Sequence, residues 1–175
     1  MPQEDLKVAV LAREGYQELE LWFPLLRYRE IGATTSLVGR AAVEHLGGVG
    51  YPAIPDQVVG DAATPSVLIV PGRAPVADAG RDELTQGERD LLRAVRDAGG
   101  VLAAIGDGVA VLGAGGLLDG VTVACTEAVA NELAGFGATR STESVHTDGA
   151  VVTAAGADDL PAFVNAIDAA ALASA

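Results

Sequence analysis

A chain of 175 residues is long enough for one domain with a sizeable core, and with half its residues hydrophobic and few aromatic, Ala, Val, Leu and Gly must fill that core. The formal net charge of -13 argues against nucleic acid and anionic membranes as partners and leaves a small molecule open. The one cysteine, Cys125, excludes an intramolecular disulfide and a thiolate metal cluster.

Residues 7–11 form a short β-branched apolar run, read as a buried first strand that ends at Arg13-Glu14-Gly15. Helical spacing of Leu19, Trp22, Phe23 and Leu26 predicts a helix over 18–31, with a kink or break at Pro24 and Gly32 as its C-terminal stop. A second strand is expected over 34–38. Val49-Gly50-Tyr51-Pro52 reads as a hairpin or extended excursion, and 56–59 leads back toward the sheet. Residues 66–70 form a third strand ending in Pro71-Gly72. A long helix over 85–98 puts Glu88, Arg89, Asp90, Arg93 and Arg96 on its wet side, and Gly99-Gly100 closes it.

Val101-Leu102-Ala103-Ala104-Ile105-Gly106-Asp107-Gly108 then reads as a buried strand, a sharp turn and the start of a helix over 109–114. A strand over 121–125 and a short helix over 128–133 follow. Paired strands over 144–146 and 151–153 flank an Asp148-Gly149 turn, and a last helix runs to Leu172, with Asp158-Asp159 at its N-cap and Pro161 in its first turn. Strands alternating with helices predict a parallel α/β sheet in one domain over 1–175. No apolar run reaches the roughly 18 residues of a membrane span, and Met1-Pro2-Gln3-Glu4-Asp5 is unlike a signal peptide, so a cytoplasmic protein is expected.

Six stretches carry a family likeness: Gly15-Tyr16-Gln17-Glu18-Leu19-Glu20-Leu21, Gly50-Tyr51-Pro52, Val67-Leu68-Ile69-Val70-Pro71-Gly72-Arg73-Ala74-Pro75, Ala103-Ala104-Ile105-Gly106-Asp107-Gly108, Gly116-Leu117-Leu118-Asp119-Gly120 and Asp158-Asp159-Leu160-Pro161-Ala162-Phe163. In this order they cover nearly the whole chain, which resembles the ThiJ/PfpI superfamily, closest to its PfpI branch. The resemblance implies a three-layer α/β/α sandwich with a mostly parallel sheet, glutamine-amidotransferase-like (flavodoxin-like). It also implies a homodimer or larger homo-oligomer.

The same resemblance places the family's reactive cysteine on Gly106 and its histidine on Asp107, while the carboxylate near that cysteine falls on Glu20. The family's Pro-Gly-Gly reads Pro71-Gly72-Arg73 here, and the residues after the next strand fall on Thr126 and Glu127. Gly106 offers no nucleophile; it suits a tight turn with positive φ, or opens room for a substrate. Asp107 is either a helix N-cap or an acid/base partner of Glu20, since two carboxylates in one pocket drive their pKa values apart. Gly72, Arg73, Gly106, Gly108, Thr126 and Glu127 are the candidate binding positions, with Tyr16 and Trp22 as either an apolar pocket wall or ordinary helix packing.

Cys125 reads as a small buried hydrophobe that could border the site. His45 and His146 lie in polar segments, are expected to be exposed and lack metal-ligand spacing, and Gly47-Gly48-Val49-Gly50 is not placed as a phosphate loop. Without the thiol, protease-like, glyoxalase and deglycase chemistry ranks last among the readings the resemblance implies. The expectation is a cofactor-free acid/base enzyme of small-molecule, specialised metabolism — an isomerase, cyclase, hydratase or lyase — using Glu20 and Asp107. The other reading is a non-catalytic relative that binds a small molecule or a protein.

Overall fold

The computed structural model describes residues 6–74 and 83–174, so Met1-Pro2-Gln3-Glu4-Asp5 and Pro75 lie outside the described residues. The order is β1 (Lys7–Ala12), α1 (Glu18–Glu30), β2 (Thr34–Gly39), β3 (His45–Leu46), β4 (Pro52–Ala53), β5 (Gln57–Val58), β6 (Val67–Val70), α2 (Gln86–Asp97), β7 (Val101–Ile105), α3 (Gly108–Ala114), β8 (Thr122–Val123), α4 (Glu127–Ala130), α5 (Leu133–Phe136), β9 (Thr139–Arg140), β10 (Val145–Asp148), β11 (Val151–Ala154) and α6 (Leu160–Ala173).

The central sheet has seven strands in the order β10-β11-β7-β6-β1-β2-β5, parallel except for the β10–β11 hairpin. Its inner strands are buried on both faces, which is why they read as continuous apolar runs rather than alternating ones. The period-2 pleat still sorts them. Val8, Val10, Ile69, Ala103 and Ile105 pack with α1 and α6 through Leu21, Leu25, Tyr28, Phe163 and Ile167. Ala9, Leu11, Leu68, Val70 and Leu102 face Leu91, Leu92, Val95, Leu112 and Val129 of the opposite layer. This is a flavodoxin-like α/β sandwich. The chain moves outward from β1 through β2 to β5, then returns to β6 on the other side of β1. That reversal makes a crevice at the carboxyl ends of β1 and β6, where open α/β sheets hold their ligands.

Several local expectations differ. No break occurs at Pro24: α1 is continuous, and Leu21, Pro24, Leu25 and Tyr28 are all buried on the sheet side, so packing overrides the missing N–H. Residues 121–125 do not join the main sheet; only Thr122 and Val123 are extended, paired in parallel with β9. The helix expected over 128–133 is two short ones, α4 and α5. Asp159 stands before α6 but makes no capping bond, because its carboxylate accepts from Ser144 Oγ at 2.6 Å; Pro161 does sit in the first turn. His45 is buried rather than exposed, and His146 is half-buried with Nδ1 3.0 Å from Glu143 Oε2. The 49–52 excursion is the loop of the antiparallel β3–β4 hairpin. No helix among the described residues is long and apolar enough to cross a membrane.

Glu88 is the largest departure from amphipathic patterning. Expected on the wet face of α2, it is fully buried. It closes a capping box with Thr85, and its two oxygens lie 3.1 Å from Arg13 Nε and 3.0 Å from an Arg40 terminal nitrogen. Burial pushes this carboxyl up, but the hydrogen bonds from Arg40 and the Thr85 N–H and the nearby charges outweigh it and hold it below the ordinary range. One carboxylate thus joins the end of β1, the end of β2 and the start of α2. Removing one member of such a buried cluster strands the others. Glu88→Gln is therefore expected to lower stability at neutral pH by about 3–5 kcal/mol, read by urea unfolding; a change under about 1 kcal/mol would place the cluster among weak surface pairs.

Candidate functional site

Three strand ends meet at the crevice: Arg13 after β1, Pro71-Gly72 after β6, and Gly106-Asp107 after β7. Gln17 begins α1 and pins it to this point. Its side-chain oxygen accepts from the Glu20 N–H at 2.8 Å, and its own N–H donates to the Gly72 carbonyl at 2.9 Å. The first turn of α1 therefore lies against the Pro71-Gly72 loop and delivers the Glu20 side chain beneath it.

The Gly72 N–H donates to Glu20 Oε2 at 2.8 Å. A methyl group on Gly72 would stand 2.7 Å from that oxygen and 2.8 Å from the Asp107 nitrogen, so only glycine lets the loop close on the turn. Gly106 occupies the apex at φ 58, the left-handed region that disfavours side chains, and a Cβ there would lie 3.0 Å from Glu20 Oε1. With no side chain at the apex, the Glu20 carboxyl lies directly beneath the turn. Glu20 is only 5% exposed. Burial raises its pKa most, the Gly72 N–H opposes that, and the Asp107 charge raises it further, to about 7.

Asp107 holds the residue position before α3 but caps nothing with its side chain. Its carboxylate instead accepts from Thr126 Oγ1 at 3.3 Å, while Thr126 Oγ1 also caps α4 by accepting from the Val129 N–H at 3.3 Å. Of the two roles open to Asp107 in the sequence, the helix-capping bond is absent and the side chain is half-buried at the wall of a cavity of about 380 Å³.

That cavity runs along α3 from Asp107 past Ala110 and Val111 to Ala114. It is walled by Pro71, Leu84 and Phe136, with Arg13, Arg73 and Arg89 among its polar groups. Glu20, Gly72, Gly106, Asp107, Gly108 and Thr126 thus gather around one turn, and Arg73 joins Asp107 on the cavity. Three other positions lie elsewhere. Tyr16 is buried and donates to the Tyr51 carbonyl at 2.5 Å, and Trp22 stands edge-on to Tyr51, so both pack α1 against the β3–β4 loop instead of walling the cavity. Glu127 is exposed and pairs with Arg140 at 2.7 Å. Cys125 is buried, and burial pushes its thiol up. Gly47 to Gly50 form the hairpin loop, held by Glu18 accepting from the Val49 N–H at 2.7 Å.

Leu84, Arg89, Val111 and Phe136 escaped sequence reasoning. Arg89 and Phe136 come from the surface pattern of α2 and from a short helix; nothing in their local spacing signals a shared cavity. Arg13 was legible only as the first polar residue after a buried strand. No group of three metal-ligating side chains converges among the described residues.

A sheet with this reversal, and a strand-turn-helix carrying a left-handed residue at its apex over a buried glutamate, define a DJ-1-type α/β domain. The DJ-1/PfpI family model matches residues 6–170, and the chain belongs to that family. An uncharacterised protein of Archaeoglobus fulgidus is 27% identical over 161 residues, covering 90% of this chain and 94% of its own. Among solved structures, a two-domain protein of Anabaena variabilis with DJ-1/ThiJ/PfpI-like and ferritin-like domains superposes with a TM-score of 0.86 at 23% identity over 94% of this chain. The present chain spans 48% of that protein. A cysteine-to-alanine mutant of a DJ-1 superfamily protein from Salmonella typhimurium gives 0.83 at 20% identity, covering 96% of this chain and 91% of its own.

Glu20 has a measurable signature. A carboxyl whose pKa rises on folding adds stability that is complete below its unfolded value near 4.5 and is lost as pH climbs through about 7. The loss amounts to about 3 kcal/mol. Glu20→Gln keeps an acceptor for the Gly72 N–H and removes the ionisation. It is expected to unfold at a higher temperature than the wild type at pH 8 and to lose that advantage at pH 5. Parallel pH curves for the two proteins would refute the raised pKa.

Proposed function

We propose that the chain is a cofactor-independent acid/base enzyme of small-molecule metabolism, in which Glu20 and Asp107 move protons on a carbonyl-bearing or similarly polarised substrate. The observation that carries the reading is the Glu20 carboxyl beneath Gly106, its pKa drawn to about 7. A group poised there is part acid and part base at neutral pH, which is where general acid/base catalysis is most effective. Asp107 supplies a second carboxylate on the cavity side, oriented by Thr126. Isomerisation, cyclisation, hydration and dehydration need proton transfer and no covalent intermediate, so they suit a site whose nucleophile position is glycine. A specialised, biosynthetic substrate follows only from the resemblance to tailoring relatives.

Proton NMR in D2O tests this without knowing the substrate. A panel of small ketones, aldehydes and enoates is expected to include compounds whose C–H signals next to the carbonyl are lost with the enzyme, with a rate that changes around pH 7. Glu20→Gln and Asp107→Asn are each expected to slow that exchange by about 100-fold or more. Equal exchange in both variants and the wild type would sink the reading. The depth of Glu20 favours the second one, a ligand-binding relative without turnover. Ligand-induced rises in melting temperature with no exchange in any compound would select it.

The assembly proposed is a homodimer. Leu19, Phe23 and Leu26 form one exposed apolar stripe on α1, and the Trp22–Tyr51 contact links it to exposed Val49 and Tyr51 of the hairpin loop. An apolar face of this kind on a strongly acidic chain suits a second copy of itself. Sedimentation equilibrium is expected to give a dimer for the wild type and a monomer for Leu26→Glu; a wild-type monomer at micromolar concentration would reject it.

A further inference from the structure

The cavity beside the Gly106 elbow, the sharp turn after β7, is longer than that turn requires, and its two ends differ. Asp107 and Ala114 stand at opposite ends of α3, seven residues apart, which is about 10 Å along a helix. Arg13 and Arg73 follow the strand ends next to Asp107. Arg89 marks the far end, because its Nη1 donates to the Ala114 carbonyl at 2.7 Å. Between and around the ends the lining mixes apolar Ala110, Val111, Leu84 and Phe136 with Glu83 and Glu132.

This arrangement fixes Arg89 in place. One of the guanidinium's five N–H donors holds the end of α3, and the side chain, so anchored, also lines the cavity. A planar, pre-oriented guanidinium at the end of a partly apolar cavity is the chemistry that recognises a carboxylate. Three of the chain's 11 basic residues border this one cavity, and one of them, Arg13, is already held by Glu88. The acidic lining groups, Asp107 at the elbow end and Glu83 and Glu132 elsewhere on the wall, oppose a second negative charge.

We propose that the cavity takes a medium-length aliphatic monocarboxylate, its carboxylate on Arg89 and its other end, the reacting end, at Asp107. The assignment of a reacting end rests on the acid/base reading above; the carboxylate at Arg89 does not. It makes Arg89 a specificity-determining residue about 10 Å from the proton chemistry, a distance at which it binds ground state and transition state alike.

Calorimetric titration at low salt of octanoate, octanamide and octylammonium tests the assignment. Octanoate is expected to bind, with octanamide and octylammonium each weaker by about tenfold or more, as befits loss of a charge-assisted bond. Acetate, too short to span the apolar wall, is expected to bind no better than octanamide. Arg89→Gln retains a donor for Ala114 and is expected to lose octanoate affinity by about tenfold or more, while Arg89→Lys retains more of it. With circular dichroism confirming that both variants are folded, equal affinity for acid and amide, or an unchanged Arg89→Gln, would overturn the proposal. Arg93→Gln, on the exposed face of the same helix and outside the cavity lining, is expected to bind octanoate as the wild type does. Intact octanoate binding without proton exchange would defeat the acid/base reading alone, and proton exchange without octanoate binding would defeat this one alone.

Discussion

The bond from the Gly72 N–H to Glu20 Oε2 holds the site together, and most of the surrounding geometry exists to make it possible. For that bond to form, α1 must start close to the end of β6, which the Gln17 N–H achieves by donating to the Gly72 carbonyl. The 71–72 loop must touch the turn after β7, which only an unsubstituted Gly72 permits. Gly108 serves the same close approach from the other side, its Cα hydrogens facing the Val70 and Pro71 carbonyls. The consequence is electrostatic. A carboxyl group is taken out of water and given a single backbone donor, too little to keep it ionised through the neutral range.

A second buried carboxylate, in the opposite helical layer, shows the opposite outcome. Glu88 is more deeply buried than Glu20, yet its pKa falls, because two guanidiniums and a backbone N–H surround it. Burial therefore does not by itself decide the charge of a carboxyl; its partners do. The pairing also matters for the cavity. Arg13 reaches the lining from the end of β1 already fixed by Glu88, so that wall is rigid before any ligand arrives.

What was legible in the sequence follows the same division between local and long-range physics. The doubly buried strands announced themselves as apolar runs such as Val101 to Ile105, and the Gly106-Asp107-Gly108 turn was visible because glycine suits a left-handed apex. The DJ-1-type frame was legible through motifs spread along the chain. Glu88 was misplaced because helical periodicity counts a charged residue as solvated, whereas its partners Arg13 and Arg40 come from distant strands. His45 was misplaced for a similar reason: its ring is covered by Gly39 and by the hairpin fold of 45–53, which no local pattern encodes. Tyr16 and Trp22 were close to Glu20 in sequence but turn toward Tyr51, since successive helix positions face different directions. The cavity wall itself, built from α2, α3 and α5, has no signature short of the tertiary fold.

Glycine at position 106 relieves a strain that any nucleophile there would impose, since φ 58 disfavours a side chain. Relief of that kind would be the expected end of a site turning into inert scaffold, and in inert scaffold Glu20 would be a liability. A carboxyl that destabilises the fold as pH rises through about 7 could be replaced by glutamine, which keeps the Gly72 bond without the ionisable proton. Glu20 instead remains beneath the turn, and the Asp107 side chain makes no capping bond to its own helix but sits at the cavity wall. Two carboxyl groups on either side of one glycine, one of them placed against its local stability interest, are the arrangement on which the proposed acid/base reading rests.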